Sequence, residues 1–434
     1  MATPSCPLTI DDLLHVLLHL DPRSIVRCAA VSKYWRRAVI GNASQVRRHA
    51  NRQADRRLLL GYHYREVYPG RLRFSARSTW SPSTGHQHWS DHLPVPSFAP
   101  AAAAADGGHP ERMYAQLACS DGLLLACRGI LEEVSVYSPL TGFHATMPRY
   151  DELLTDTYFL HSVHGDEMNP TPNSFQVLAV EVEPEGELAL QNYSSETGAW
   201  GPVIRPVNDK VLMPRVIHYP VAAIECRGAI HWLCGCWPSC DEPRRRCSLE
   251  GYDNITHSVA VDISTGHAWM TISTTRLPKQ CVMSSDNVSN NKMLVLVTAA
   301  DGRLALLRRE DACTKVTIWV HAEEDSGRGS CGSDGDDGEA RWVLSRSFDV
   351  RKLVEHAGLA HFRPEHKDWA DLEVRLEWFC RRSRCVVIWV PYLGLFVLDL
   401  ENMQMQRAAG DSQTHVWPYE MDLTVCYSSL KQYH

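Results

Sequence analysis

The stretch that decides the fold is a short strand that runs into a tight turn, Val134-Ser135-Val136-Tyr137-Ser138-Pro139-Leu140-Thr141-Gly142-Phe143. Its alternation of apolar and polar residues predicts a half-buried strand. Gly142 supplies the positive φ that a tight hairpin needs, and Phe143 begins the return strand. The stretch therefore predicts one β-hairpin.

The same turn recurs along the chain. Its glycines are 57, 56 and 68 residues apart, and a further 136 residues lead to a degenerate last copy at residues 397–402; the turn glycines are Gly85, Gly142, Gly198 and Gly266. A second recurring turn stands at Asp121-Gly122, Arg227-Gly228 and Asp301-Gly302. The spacing leaves space for one more copy around residues 343–348, which gives six repeats. Repeats of this length that contain about four strands each predict propeller blades. The alternative is an irregular β-sandwich with chance turns, and a helical insertion at residues 372–378 would disturb regular blades.

The first forty residues follow a different, helical pattern. Ile10, Leu13, Leu14 and Leu17 have the i, i+3, i+4, i+7 spacing of one helical face, with Thr9 as a plausible N-cap. Pro22 is well placed to begin a second helix, and Ser32 to cap a third. Three helices this short are expected to leave apolar side chains uncovered, which implies a partner surface.

This N-terminal segment closely resembles an F-box. The resemblance rests on an acidic pair, a Leu-Leu helix, a Leu-x-Pro-x-Ser-Ile-x-Arg motif and a Val-Ser-Lys-x-Trp-Arg ending, which lie within residues 8–36. Thr9 stands where the family has Pro, and His15 and His19 stand where charged residues are frequent. More loosely, residues 120–125 and 136–142 resemble the F-box-associated, kelch-like domain of plant F-box proteins.

The resemblance implies an α+β chain in three parts. They are a three-helix F-box at residues 1–45, a basic linker helix at 46–60, and an all-β, kelch-like six-bladed β-propeller at 61–434 that contains an acidic disordered loop at 322–340. The F-box would dock on a Skp-type adaptor and, through it, on cullin and RING subunits. The predicted adaptor-binding residues are Leu8, Ile10, Leu13, Leu14, Leu17, Leu20, Pro22, Ile25, Val26, Val31 and Trp35.

The function implied is that of a non-catalytic substrate receptor in an SCF-type ubiquitin ligase. The β domain would hold an unidentified target protein, and proximity alone would speed ubiquitin transfer. The alternative is a β-propeller enzyme or glycan-binding protein whose F-box serves its own turnover. Acid and base side chains converging at a propeller mouth would distinguish that alternative.

The charge distribution separates the two ends of the chain. The net charge is −7, yet residues 1–75 hold thirteen basic against five acidic residues. Arg48, Arg52 and Arg56 form a helical stripe that invites a nucleic-acid interpretation, but no groove-binding motif or interleaved aromatic residue accompanies it. We expect a solvated linker face and no nucleic-acid partner. No apolar run is long enough to span a bilayer, so no membrane partner is expected.

The number and spacing of the cysteines indicate the cellular compartment and bear on metal binding. Fifteen scattered cysteines, with no secretory signal at the N-terminus, favour reduced thiols in the cytosol or nucleus. Cys234, Cys236, Cys240 and Cys247 lie near His231 and His257, but their spacing does not match two C-x2-C knuckles, so no metal site is predicted. Residues 327–332 match G-x-G-x-x-G only formally, since acidic residues flank them and no strand precedes them. No cofactor is expected.

Overall fold

A computed structural model describes the chain in nineteen stretches. They are residues 8–20, 22–42, 45–46, 59–65, 72–76, 114–128, 133–138, 143–148, 157–162, 174–182, 188–205, 223–235, 255–262, 272–281, 293–310, 314–322, 342–359, 374–409 and 416–420. Outside them lie the predicted turns at 81–85, 139–142 and 263–266, and residues 47–58 of the predicted linker helix with Arg48, Arg52 and Arg56. Residues 323–340 of the acidic loop with the formal glycine motif, and Cys236, Cys240 and Cys247, also lie outside them. No helix within these stretches is long and apolar enough to cross a membrane.

Three short helices form an N-terminal unit, here called the helical head: α1 (Ile10–Leu17), α2 (Pro22–Val31) and α3 (Lys33–Gly41). The predicted caps are confirmed. Thr9 Oγ1 accepts the Asp12 backbone N–H at 3.2 Å while an Asp12 carboxylate oxygen accepts the Thr9 N–H at 2.9 Å, which completes a capping box. Ser32 accepts the Trp35 N–H at 3.3 Å and starts α3. Pro22 begins α2.

Five four-stranded antiparallel blades follow in chain order. Blade 1 contains β3 (Tyr114–Ser120), β4 (Leu123–Arg128), β5 (Glu133–Ser138) and β6 (Phe143–Thr146), and blade 2 contains β7 (Thr157–Ser162), β8 (Phe175–Val182), β9 (Leu188–Ser194) and β10 (Ala199–Trp200). Blade 3 contains β11 (Ile224–Cys226), β12 (Ala229–Gly235), β13 (Ile255–Asp262) and β14 (Ile272–Arg276). Blade 4 contains β15 (Leu294–Thr298), β16 (Leu304–Arg309), β17 (Lys315–His321) and β18 (Trp342–Asp349), and blade 5 contains β19 (Arg375–Cys380), β20 (Cys385–Val390), β21 (Gly394–Asp399) and β22 (Gln404–Ala409).

A further sheet, here called the closing sheet, joins both ends of the β region. It has three strands in the order β2-β1-β23, formed by β1 (Leu59–Arg65), β2 (Leu72–Ala76) and β23 (Val416–Glu420). The prediction of six blades is therefore not supported. Five four-stranded blades are found in the described stretches, and the last strand, β23, pairs with β1, whose other edge pairs with β2. Strand β1 also begins at Leu59, within the span predicted as linker helix.

The sheets pack around a central axis. The first strands of neighbouring blades lie side by side, as β3 with β7, β11 with β15 and β15 with β19, and β23 lies between β19 and β3. The middle strands of blade 5 are buried on both faces: every residue of β21 is buried, and so is every residue of β20 except Trp389. Residues 375–378, predicted to be helical, belong to β19. A short helix α4 (Val350–Val354) and a π-helical turn (Glu355–Leu359) follow β18.

Both predicted turns are confirmed where the structure describes them. Asp121-Gly122, Arg227-Gly228 and Asp301-Gly302 connect the first and second strands of blades 1, 3 and 4, with φ of 78°, 79° and 80° at the three glycines. Gly198, with φ 66°, connects the third and fourth strands of blade 2. The stretch 397–402 runs into the corresponding turn of blade 5, and β18 occupies the place predicted for a further copy.

Candidate functional site

The helical head buries part of the set predicted to contact an adaptor. Leu13, Leu17 and Ile25 are fully buried and pack with Ala29, Ala38, Val39 and Val46. These three side chains are covered within the head itself, because the apolar stripes of the helices pack on one another. These three residues hold the head together and do not form its surface.

The surface of the head nevertheless carries uncovered apolar side chains. Leu8, Ile10, Val16 and Val31 are 41%, 43%, 40% and 72% exposed, and Val16 was not among the predicted contacts. Leu14, Leu20 and Trp35 are half-buried against the core of the head. Pro22 and Val26 lie in α2, but their side chains fall outside what the structure describes. We call Leu8, Ile10, Val16 and Val31 the exposed apolar set.

Hydrogen bonds fix the positions of the elements that carry this set. Tyr34 donates its hydroxyl hydrogen to the Leu8 carbonyl at 2.8 Å, which ties the segment before α1 to α3. Arg36 Nε donates to the Ala29 carbonyl at 3.1 Å and ties α3 to α2. Hydrogen bonds with Thr9 hold the pKa of the Asp12 carboxyl below its ordinary value. The exposed apolar set is therefore presented by an ordered scaffold.

A second candidate site lies on the axis of the β region. The carboxyl-terminal ends of β3, β7, β19 and β23 converge there with β11, and between them is a pocket of about 100 Å³. The pocket is lined by Ala118, Cys119, Ser120, Asp121, Tyr158, Phe159, Leu160, His161, Ala223, Ile224, Glu225, Ile230, Trp378, Phe379, Arg381, Pro418 and Glu420. We call it the axial pocket. Its lining combines an aromatic and aliphatic wall with polar side chains contributed by four blades and the closing sheet.

Two arginines of the β19–β20 turn reach across the axis. Arg381 Nη2 donates to Asp121 Oδ2 at 3.0 Å, and its Nη1 lies 2.5 Å from Glu225 Oε2. Arg382 Nε donates to the other oxygen of Asp121, and this pair is almost fully buried. A single turn of blade 5 thereby joins blade 1 and blade 3.

Glu420, at the end of β23, accepts hydrogen bonds from the backbone of the same turn. The Ser383 N–H and hydroxyl donate to Glu420 Oε1 at 2.7 and 2.6 Å, and the Arg382 N–H donates to Oε2 at 3.2 Å. Burial raises the pKa of Glu420 above its ordinary value and outweighs these hydrogen bonds. The last strand of the ring is thus fastened to blade 5 through its side chain.

His161 completes the polar side of the axial pocket. Its Nδ1 lies 2.9 Å from Glu225 Oε2. Burial tends to raise the pKa of Glu225, but the hydrogen bond from His161 and the positive charge of Arg381 outweigh it, so the pKa falls below its ordinary value. Burial, with the charges of Glu420 and Asp121, raises the pKa of the neighbouring Cys119 thiol. Glu225 is therefore an anion at neutral pH, and Cys119 is a neutral thiol.

The axial pocket was not predicted from the sequence. Asp121 was recognised only as a turn residue, and His161, Glu225 and Glu420 carried no motif. The one available signal was the charged run Arg381-Arg382-Ser383-Arg384, which interrupts two apolar strands where a turn needs no such charge. No group of potential metal ligands is found within the described stretches, and Cys236, Cys240 and Cys247 of the cysteine and histidine cluster lie outside them.

The sequence matches two known families. Residues 12–49 match the F-box-like family, and residues 129–432 match the family described as a domain of unknown function, DUF7595. The chain belongs to the DUF7595 family. Its helical head accordingly lies in an F-box-like region, and most of its β region lies in the DUF7595 domain.

Comparisons with individual proteins are less specific. No curated protein matches the chain. Among solved structures, a luciferin-regenerating enzyme is similar over 68% of this chain and 75% of its own, with 9% identity and a TM-score of 0.33. The β-propeller domain of Cps50 (Swd1) from Myceliophteria thermophila is similar over 69% of this chain and 87% of its own, with 11% identity and a TM-score of 0.34. At this level of similarity, neither structure informs the function.

Proposed function

We propose that this protein is the substrate-recognition subunit of an SCF-type E3 ubiquitin ligase. In this proposal the helical head docks on a Skp-type adaptor, which brings cullin and RING subunits, and the β region holds a target protein for ubiquitination. The protein itself catalyses no step. The β region is then the F-box-associated, kelch-like type of plant F-box proteins, a resemblance that rests on the turn motifs of blade 1.

The observation that carries the proposal is the exposed apolar set on an F-box-like head. Uncovered Leu, Ile and Val side chains on a small ordered unit are favourable to bury against a partner, at about 25 cal/mol per Å² of apolar surface. Helices that present such side chains typically dock in an apolar groove. Joining this head to a β ring with its own axial pocket gives one chain two separate binding surfaces, as a receptor subunit requires.

The adaptor contact can be tested with a variant of the exposed apolar set. We expect Leu8→Ser/Ile10→Ser/Val31→Ser to lower the affinity for a purified Skp-type adaptor at least about thirtyfold, which corresponds to about 2 kcal/mol, a typical value for apolar hot spots. Because these side chains are exposed, the variant keeps its circular dichroism spectrum and melting temperature. Affinity is measured by calorimetry with the full chain.

A matched control comes from blade 4. Val343 and Leu344 on β18 are 51% and 50% exposed, as apolar as the head set but far from it in sequence. Val343→Ser/Leu344→Ser leaves adaptor affinity unchanged if the head alone docks. Undiminished binding by the head variant, or equal loss in both variants, contradicts the proposal.

A second candidate function is a catalytic or glycan-binding propeller. It is favoured by the convergence of Asp121, Glu225 and His161 on the axial pocket, since acid and base groups meet there. Three features favour the receptor instead. Asp121 is held by two arginines, Glu225 is paired with both Arg381 and His161, and the raised pKa of Cys119 leaves that thiol a poor nucleophile.

The compartment proposed for the protein is the cytosol or nucleus. Support comes from the cysteines, since fifteen scattered thiols are typical of a reducing environment. No disulfide joins the cysteines of the described stretches.

A further inference from the structure

The axial pocket has hydrogen-bonding capacity that its own residues do not use. Within the described stretches, the two contacts of Arg381 are to Asp121 and Glu225, so its Nε–H and further Nη hydrogens point to no protein acceptor. Glu225 receives both His161 and Arg381 on Oε2, and its Oε1 has no contact among the described residues, which makes Oε1 an open acceptor. The side chains of Arg381, Glu225 and His161 are 31%, 26% and 19% exposed, so they remain accessible from the pocket.

The charge balance of the pocket disfavours a charged occupant. An ammonium or guanidinium group near Glu225 would lie beside Arg381, whose own charge is already shared by two carboxylates. A carboxylate near Arg381 would lie beside Glu225 and Asp121. Taking either ion out of water costs several kcal/mol, and the like charge beside it would weaken the attraction that has to offset this cost. The pocket therefore favours a neutral group.

An apolar occupant is disfavoured for a different reason. A methyl group over Arg381 and Glu225 would displace water from an N–H donor and a carboxylate acceptor without offering a hydrogen bond in return. Each polar group left without a partner costs about 1–3 kcal/mol of binding free energy. The favoured occupant is therefore neutral and carries both a donor and an acceptor. A primary amide has both side by side, so its carbonyl can accept from Arg381 while its NH2 donates to Glu225 Oε1.

The size of the pocket limits the occupant to one side chain. Its volume of about 100 Å³ is below the roughly 150 Å³ of a cavity that holds benzene, and well below the roughly 300 Å³ at which cofactor pockets begin. The aromatic wall of Tyr158, Phe159 and Trp378 offers an apolar surface to a short aliphatic stem. A glutamine or asparagine side chain meets both conditions.

We propose that the axial pocket binds the primary amide side chain of a glutamine or asparagine of the target protein. This inference rests on the proposed receptor function, because it names the chemistry by which the β region would recognise its target. The amide spans Arg381 and Glu225, and the aromatic wall packs on its stem.

Capped amino acids test the specificity. The full chain is titrated with N-acetyl-glutamine methylamide and with the corresponding glutamate, lysine, norleucine and serine compounds, and binding is followed by saturation-transfer NMR. We expect the glutamine compound to bind at least about fivefold more tightly than the others, as the unpaired groups of a mismatched site imply. The assignment is overturned if the serine compound binds as tightly as the glutamine compound or more tightly. It is also overturned if a charged compound binds more tightly than the glutamine compound, or if no compound binds.

Two pocket variants and one control locate the binding. Glu225→Gln replaces the open acceptor by an NH2 group of equal shape and lowers glutamine-compound affinity about tenfold, while Ala223→Leu fills the pocket and abolishes binding. Glu401→Gln is the control, because Glu401 pairs with Arg384 in the same region but does not line the pocket. Unchanged binding in both pocket variants, each with a wild-type melting temperature, overturns the inference. The affinity for the adaptor is measured in parallel. Pocket variants that no longer bind the glutamine compound should still bind the adaptor, so failure of this inference can be distinguished from failure of the proposed adaptor docking.

Discussion

His63 is a histidine that the fold keeps uncharged. It lies on β1, is fully buried, and its ring meets that of Tyr419 edge-on at a centroid distance of 5.4 Å. Burial lowers its pKa to about 3. Because the unfolded chain has an ordinary histidine pKa of about 6.5, the unfolded state binds the extra proton first as the pH falls.

This difference makes stability depend on pH. The contribution of His63 is fully present above pH 6.5 and is lost as the pH falls from about 6.5 towards 3; by pH 5 the loss is about 2 kcal/mol. We expect His63→Phe, which keeps a ring against Tyr419, to reduce the fall in unfolding free energy between pH 7.5 and 5 by that amount. Urea denaturation at both pH values measures it. An unchanged dependence in His63→Phe would show that folding does not lower the pKa of His63.

At the scale of the element, the blade turns depend on backbone conformation rather than on packing. Gly302 has φ 80°, and a Cβ placed there would meet nothing within 4 Å. The cost of a side chain at this position is therefore the cost of the left-handed conformation alone, about 1–2 kcal/mol for an ordinary residue.

Two substitutions at Gly302 separate backbone strain from steric clash. Gly302→Ala is expected to lower the unfolding free energy by about 1–2 kcal/mol. Gly302→Asn is larger but should cost less, because asparagine tolerates the left-handed region better than other residues. Chemical denaturation compares the two. A greater loss in the asparagine variant would point to a clash that the open space around Gly302 does not predict.

The helices and strands also show which features of the fold can be predicted from the sequence. Turn glycines and the alternation before them identified the blade hairpins, because those signals are local. The helix caps of Thr9 and Ser32 were equally predictable. The burial of Leu13 and Leu17 could not be predicted from the sequence, because it depends on how the three helices pack on one another. The axial pocket depends on contacts between residues far apart in the chain, such as Asp121 and Arg381, which are 260 residues apart, and no local pattern indicates such a contact.

At the scale of the whole molecule, the ring is held by one turn of blade 5. Arg382 and Arg384 lie two residues apart, yet their ion pairs differ in burial. The Arg382 and Asp121 side chains are 6% and 3% exposed, whereas those of Arg384 and Glu401 are 20% and 42% exposed. Only the first pair connects two blades.

The two pairs are expected to differ in their contribution to stability. Arg382→Gln removes one of the two arginines that pair with the buried Asp121 carboxylate, while Arg381 remains, and should lower the unfolding free energy by about 1.5–3 kcal/mol. Arg384→Gln breaks a surface pair in the same turn and should cost at most about 1 kcal/mol. Denaturation of the full chain, followed by tryptophan fluorescence, measures both. Similar losses in the two variants would mean that the ring does not depend on the buried pair.

The pairing of β23 with β1 has a consequence for the order of events during synthesis. The helical head is synthesised before the strand that closes the ring, which follows roughly 20–70 s later at about 5–20 residues per second. Throughout that interval β1 has an unpaired edge, which is the kind of edge that recruits other strands. A nascent or prematurely terminated chain thus presents a finished head on an open ring, so translation fidelity near residue 416 bears directly on aggregation.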